Sequence, residues 1–110
     1  MNLDNVRMNV VKTAENGVVN DLTIFTFSQT DNFVSAVYSG GQILKGYLVG
    51  TIDNNKLVFS YCQIQINGKI DNGQSECDIF KGENNKIKLV EHFKWASRED
   101  EAGVNIFQEL

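Results

Sequence analysis

Apolar residues recur at every second position through nearly the whole of this 110-residue chain, the spacing of β-strands that turn one face inward. The pattern predicts eight strands near 6–14, 18–29, 33–39, 42–52, 57–66, 70–81, 86–97 and 103–110. Between them stand "ENG", "TDN", "GG", "DNNK", "NGK", "GENN" and "REDEA", rich in the Gly, Asn and Asp residues that tolerate positive φ or begin turns. Parallel neighbours need crossovers of a dozen or more residues, and connections this short exclude them. The expected fold is all-β, one domain over residues 1–110: an eight-stranded antiparallel up-and-down barrel, which closes on itself and so removes both exposed edges. A two-sheet β-sandwich is the alternative.

A slip of one residue would turn a strand's apolar set toward water, so registers can be tested from sequence. A two-residue loop at Asn67-Gly68 would set Phe59 opposite Glu76. A three-residue loop, Asn67-Gly68-Lys69, instead pairs Leu57 with Ile79, Phe59 with Cys77, Tyr61 with Ser75 and Gln63 with Gly73, and is preferred. Across "DNNK" the same test pairs Ile52 with Leu57, Gly50 with Phe59, Leu48 with Tyr61 and Gly46 with Gln63. Across "KGENN" it pairs Ile79 with Ile87, Cys77 with Leu89, Ser75 with Glu91 and Gly73 with Phe93. These registers describe an inner wall with an apolar plug at one end and small or polar residues at the other, the arrangement of a barrel that holds one small ligand.

One residue breaks the apolar row. In "KIKLVEHFKW", Ile87, Leu89, Phe93 and Trp95 share a face with Glu91. A carboxylate there loses hydration, so it needs donors and should have a raised pKa. Tyr61 and Ser75 are the expected donors. In one reading the group is a satisfied internal hydrogen-bond network. In the other it is a ligand site, with Glu91, Tyr61, Ser75 and Gln63 around a polar head and Phe93, Trp95 and Tyr38 around an apolar body. Catalysis with Glu91 as general base is a weaker third reading, because no nucleophile, second acid or metal cluster accompanies it. The single histidine, His92, faces outward between lysines. No spacing resembles a zinc site and no serine sits in a nucleophile elbow, so no catalytic residue, metal or cofactor is expected.

Cys62 and Cys77 fall on opposite faces, and in the rejected register they would stand four residues apart, on the order of 13 Å, too far for a disulfide. On the outer face of the fourth and fifth strands, Ile43, Tyr47 and Val49 lie beside Val58, Cys62 and Ile64. An outward apolar stripe of this kind suggests an interface, here between two copies in a homodimer, unless the N-terminal segment covers it.

Composition narrows the function without naming it. The chain is 42% hydrophobic and 22% charged, an ordinary globular balance. Its net charge of −4, with no Lys/Arg cluster, argues against nucleic acid or an anionic membrane as partner. The N-terminus has no basic flank leading into an apolar run, so neither a signal peptide nor an anchor is expected. Two reduced thiols then fit the cytoplasm.

The run "VYSGGQILKGYLVG", the tyrosine strand after it, "NGKIDNGQSECD" and "LVEHFKW" resemble a family of small bacterial proteins often labelled N-acetylglutamate synthase. The resemblance runs from about residue 18 onward and rests on Tyr38-Ser39-Gly40-Gly41, Gly46, Gly50, Tyr61, Gly68, Gly73, Cys77, Glu91 and Trp95. Where relatives tend to carry a histidine soon after the Tyr61 position, this chain has Gln63 and Ile64. The resemblance implies a lipocalin-like barrel of the calycin type, related in shape to MoaF-like domains. The label itself fits poorly. Acetyl-coenzyme A transferases of the usual fold cradle a pyrophosphate on a Gly-rich turn that opens a helix, whereas Gln42–Tyr47 lies inside a predicted strand. Binding of a small, partly apolar molecule is the leading expectation, ahead of a homodimeric module with a filled core and an enzyme using Glu91.

Overall fold

The computed structural model describes residues 2–97 and 101–110. Eight strands follow one another as a closed antiparallel barrel: β1 (Arg7–Lys12), β2 (Ile24–Thr30), β3 (Phe33–Gly40), β4 (Ile43–Asp53), β5 (Lys56–Gln65), β6 (Ile70–Lys81), β7 (Ile87–Trp95) and β8 (Ala102–Glu109). Closure is made by β1 and β8, where Met8 faces Glu109 and Val10 faces Phe107, with a bulge between Val10 and Lys12. No edge is left unpaired, and the up-and-down barrel stands over the sandwich. Among the described residues no helix is long and apolar enough to cross a membrane. The predicted "REDEA" turn begins at residues 98–100, outside the described residues.

Alternation is followed almost residue by residue. In β6 and β7 every second side chain is buried, including Cys77, Ile79, Leu89, Glu91, Phe93 and Trp95. Leu3 plugs one end, fully buried and tied to β2 through Leu3 N–H on Gln29 Oε1 (2.8 Å) and Asn5 N–H on Phe27 O (3.0 Å). The N-terminal segment thus runs beside β2 and does not cover the outer stripe on β4 and β5.

Two predicted registers are corrected, each by two residues. The β4–β5 pairing is as expected, from Gly46 with Gln63 to Ile52 with Leu57. Between β5 and β6, however, Leu57 faces Cys77, Phe59 faces Ser75, Tyr61 faces Gly73 and Gln63 faces Asp71. The loop does have three residues with a left-handed Gly68 (φ 87°), but they are Ile66-Asn67-Gly68, closed by Gln65 N–H on Lys69 O. In such a hairpin the left-handed residue comes last, after a type I turn, so glycine belongs in the third place and not the middle one. Between β6 and β7 the pairs are Gly73 with Trp95, Ser75 with Phe93, Cys77 with Glu91 and Ile79 with Leu89. That turn uses Glu83–Asn85, because Asn84 and Asn85 take the positive φ values that a turn at Gly82-Glu83-Asn84 would have imposed partly on Glu83. A shift of two preserves which face each residue occupies. The inward set therefore survives and its levels do not.

The second strand starts six residues later than expected. Asn20 and Thr23 form a turn in which Asn20 N–H donates to Thr23 Oγ1, Leu22 N–H to Asn20 Oδ1 and Thr23 N–H to Asn20 O. Side-chain bonding of this kind competes with a ladder. Residues 13–23 consequently leave the sheet and fold across one end of the barrel, with Val19 buried and Ala14 and Val18 packed on the core.

Candidate functional site

Six of the seven residues expected to hold a ligand, namely Tyr38, Tyr61, Gln63, Glu91, Phe93 and Trp95, line one interior cavity. Its volume open to the centre of a water-sized sphere is about 30 Å³, enough for roughly two waters. Gly17, Val18 and Val19 of the crossing segment form part of its wall. Ser75, the seventh, stands behind the wall and donates its hydroxyl to Glu91 Oε2 at 2.7 Å.

Glu91 is held from both sides. The second donor is Asn105 of β8, whose Nδ2 gives a 3.0 Å hydrogen bond to Oε1. Of the two expected donors Ser75 is in place, while the corrected register sets Tyr61 opposite Gly73, against which its ring end lies. Ser75 reaches Glu91 diagonally, since its direct partner is Phe93; diagonal neighbours lie within reach of one another on a tilted sheet. The network continues into the crossing segment. Asn105 Oδ1 accepts Ala14 N–H at 2.8 Å, so one amide side chain joins the buried carboxyl to the barrel's cover. Across the cavity Tyr38 donates its hydroxyl to Gln63 Oε1 at 2.8 Å.

Glycines shape the aromatic walls. A side chain at Gly46 would overlap the Tyr38 ring, and one at Gly103 would stand 2.6 Å from the Phe93 ring. The rings lie in niches on the opposite strand, which is the expected packing role of strand glycine, although it serves Tyr38, Tyr61 and Phe93 as well as Phe59. Phe59, Tyr61, Trp95 and Phe93 then meet edge to face in succession, at interplanar angles of 66°, 75° and 74°.

Burial raises the Glu91 pKa above its ordinary 4.5, and the hydrogen bonds from Ser75 and Asn105 and the charge of His92 offset this only in part. The nearby Tyr38 and Cys77 are also pushed up, first by burial and then by Glu91. With its folded-state pKa above the unfolded one, Glu91 keeps a proton that the unfolded chain releases. Stability should therefore fall as pH rises from the ordinary carboxylate range through the folded-state value. Thermal midpoints of the wild type are expected to drop across that window relative to those of Glu91→Gln, whose amide does not titrate. Parallel pH profiles would exclude the effect.

The outer stripe is only partly as expected. Tyr47, Val49 and Val58 are exposed apolar residues, Cys62 is exposed and Ile64 is half-buried. Ile43 is instead 2% exposed. A register shift between Ile43 and Lys45 leaves Leu44 and Lys45 both outward, and this reverses the parity at the start of β4. His92 is on the surface, 3.9 Å from Asp78. Among the described residues no group of three or more His, Cys, Asp and Glu is placed to hold a metal ion.

Asn105 and the Gly17–Val19 wall were missed by sequence reasoning. Asn105 had a signal, because it shares an inward face with Phe107 just as Glu91 does with Phe93. The wall had none, since Val18 and Val19 also suit the start of a strand.

Searches of curated proteins and of solved structures found no match. A match to a family model is found, and it agrees with the calycin-type barrel; it does not support the N-acetylglutamate synthase label. Over its whole length, residues 1–110, the chain matches the model of the avidin-like proteins, and it belongs to that family.

Proposed function

We propose that the barrel binds a small, partly apolar molecule, with Glu91 and its hydrogen-bonded neighbours holding a polar head and Tyr38, Phe93 and Trp95 holding the apolar part. The observation that carries this reading is the convergence of Tyr38, Tyr61, Gln63, Glu91, Phe93 and Trp95 on one interior cavity beneath a crossing segment that is not part of the sheet. Few convergent polar groups in a largely aromatic enclosure are the usual make-up of a small-molecule site. Membership in the avidin-like family supports it too, since barrels of this family typically bind small ligands. The cavity admits a head group, and the rest of the ligand lies under a displaced Gly17–Val19 segment. Native mass spectrometry of protein from its own host, followed by Trp95 fluorescence against a metabolite library, tests this. A co-purifying mass, or a fluorescence response that Glu91→Gln abolishes, is expected. An empty protein with a silent Trp95 would overturn the reading.

A homodimeric role is the second reading, carried by the outer face of β3 to β5. There Phe33, Tyr47, Val49 and Val58 are between 45% and 64% exposed on adjoining strands, and apolar faces of this kind mark interaction surfaces. Val49→Asp is expected to halve the mass measured by light scattering. A wild type that is already monomeric would dismiss the dimer.

A further inference from the structure

The cavity brings together one buried carboxyl group and many aromatic faces, and none of the described residues that line it is positively charged. Seven of its lining residues are aromatic, and among the described residues no Lys, Arg or His lines it. The donors that meet Glu91, Ser75 and Asn105, are both neutral. A carboxylate can accept about four hydrogen bonds, so capacity remains on each oxygen. The arc Phe59, Tyr61, Trp95 and Phe93 is built of rings set nearly at right angles, with successive centroids 6.2, 5.9 and 5.5 Å apart. Rings arranged in this way make adjoining walls, unlike a parallel stack, and the negative faces of aromatic rings attract cations.

We propose that the polar head recognised in this cavity is a primary alkylammonium, held by the Glu91 carboxylate and the aromatic walls around it. The inference rests on the small-molecule reading above and specifies its ligand class. An anionic head is disfavoured because it would meet Glu91 in a low-dielectric interior where no described lining residue is a cation that could offset it. A neutral head leaves the buried carboxyl dependent on two neutral donors. An ammonium supplies the missing charge and up to three N–H donors, for which Gln63 Oε1 and Asn105 Oδ1 are further acceptors in the same cavity. Size agrees with this choice: about 30 Å³ admits an ammonium nitrogen and its neighbouring carbon, whereas a quaternary head with four substituents does not fit. The net charge of −4 raises the local concentration of cations around the barrel. The raised Glu91 pKa is in keeping with a carboxyl group that still lacks its counter-ion.

The test compares three probes of equal chain length at matched ionic strength: n-butylammonium, n-butanol and butyrate. Binding is followed by Trp95 fluorescence and by the NMR shifts of the Asn105 side-chain amide and the Ala14 amide. Butylammonium is expected to bind at least tenfold more tightly than butanol, and butyrate to leave every reporter unmoved. Glu91→Gln should bring butylammonium down to the affinity of butanol. Phe93→Leu keeps the carboxyl and removes one ring, and should weaken butylammonium several-fold more than butanol; with the wild-type comparison it decides the matter if Glu91→Gln does not fold. Equal affinity for butanol and butylammonium in the wild type would overturn the ammonium assignment and leave a binding cavity in place. No response to any of the three would overturn both.

Discussion

Asn105→Leu is expected to lower the unfolding free energy by about 3 kcal/mol, because it removes two hydrogen bonds at once in a buried place. One is the bond from its Nδ2 to Glu91 Oε1 and the other is the acceptor for Ala14 N–H. Leucine has the same branching and number of side-chain heavy atoms and is somewhat larger, so no cavity is left and the cost is chiefly polar. Urea unfolding measures it, and a loss under about 1 kcal/mol would show that the network contributes little. The substitution should also free the crossing segment. Exchange of the Ala14 amide, and of Gly17, whose N–H donates to Ala14 O at 2.9 Å, should accelerate while the strand amides of β4 and β5 keep their protection. In a Glu91→Leu background the carboxylate share of the cost disappears and only the Ala14 share remains. The double-mutant cycle therefore separates the two bonds.

Gly50→Ala is expected to cost on the order of 3 kcal/mol, the upper part of the usual range for overpacking. A Cβ at this position would overlap Val58 O and stand 2.6 Å from Phe59 Cβ and 2.7 Å from Phe59 Cα. These are main-chain atoms, or the root of a side chain, on the directly paired strand, so no rotamer change can relieve the overlap. Gly46 offers the comparison. There the three atoms nearest the added Cβ all belong to the Tyr38 ring, which can turn away at the expense of its bond to Gln63. Gly46→Ala should therefore cost less in stability and more in ligand affinity, since the displaced ring moves into the cavity. Thermal denaturation of both variants, with a binding titration of each, distinguishes a backbone clash from a side-chain one. Equal stability losses would refute the distinction.

The alternation of "KIKLVEHFKW" was sufficient to place Glu91 inside, and it did so even though the predicted pairing with Ser75 was two residues out of register. Side-chain direction along a strand has a period of two, so an error of two leaves the face unchanged and alters only the level. For the same reason six of the seven candidate ligand residues reach the cavity, while the partner assigned to Tyr61 does not hold. Ile43 failed for a related cause. A single extra residue at Leu44 in the ladder reverses parity, and nothing in "QILKGY" distinguishes a regular strand from a bulged one.

Period-two burial and turn-forming dipeptides are local properties, and from them the chain by itself determined eight antiparallel strands, the inward set and the buried carboxyl. Which residues meet across the barrel depends on strand tilt, on the exact residues in each loop and on closure between β1 and β8, all of them sums over contacts distant in sequence. The tertiary structure alone decided that Asn105, fourteen positions from Glu91, would be its second donor. It also decided that residues 13–23 would leave the sheet and cover the cavity, because the Asn20 and Thr23 side chains bond the local backbone and the ladder gives way there.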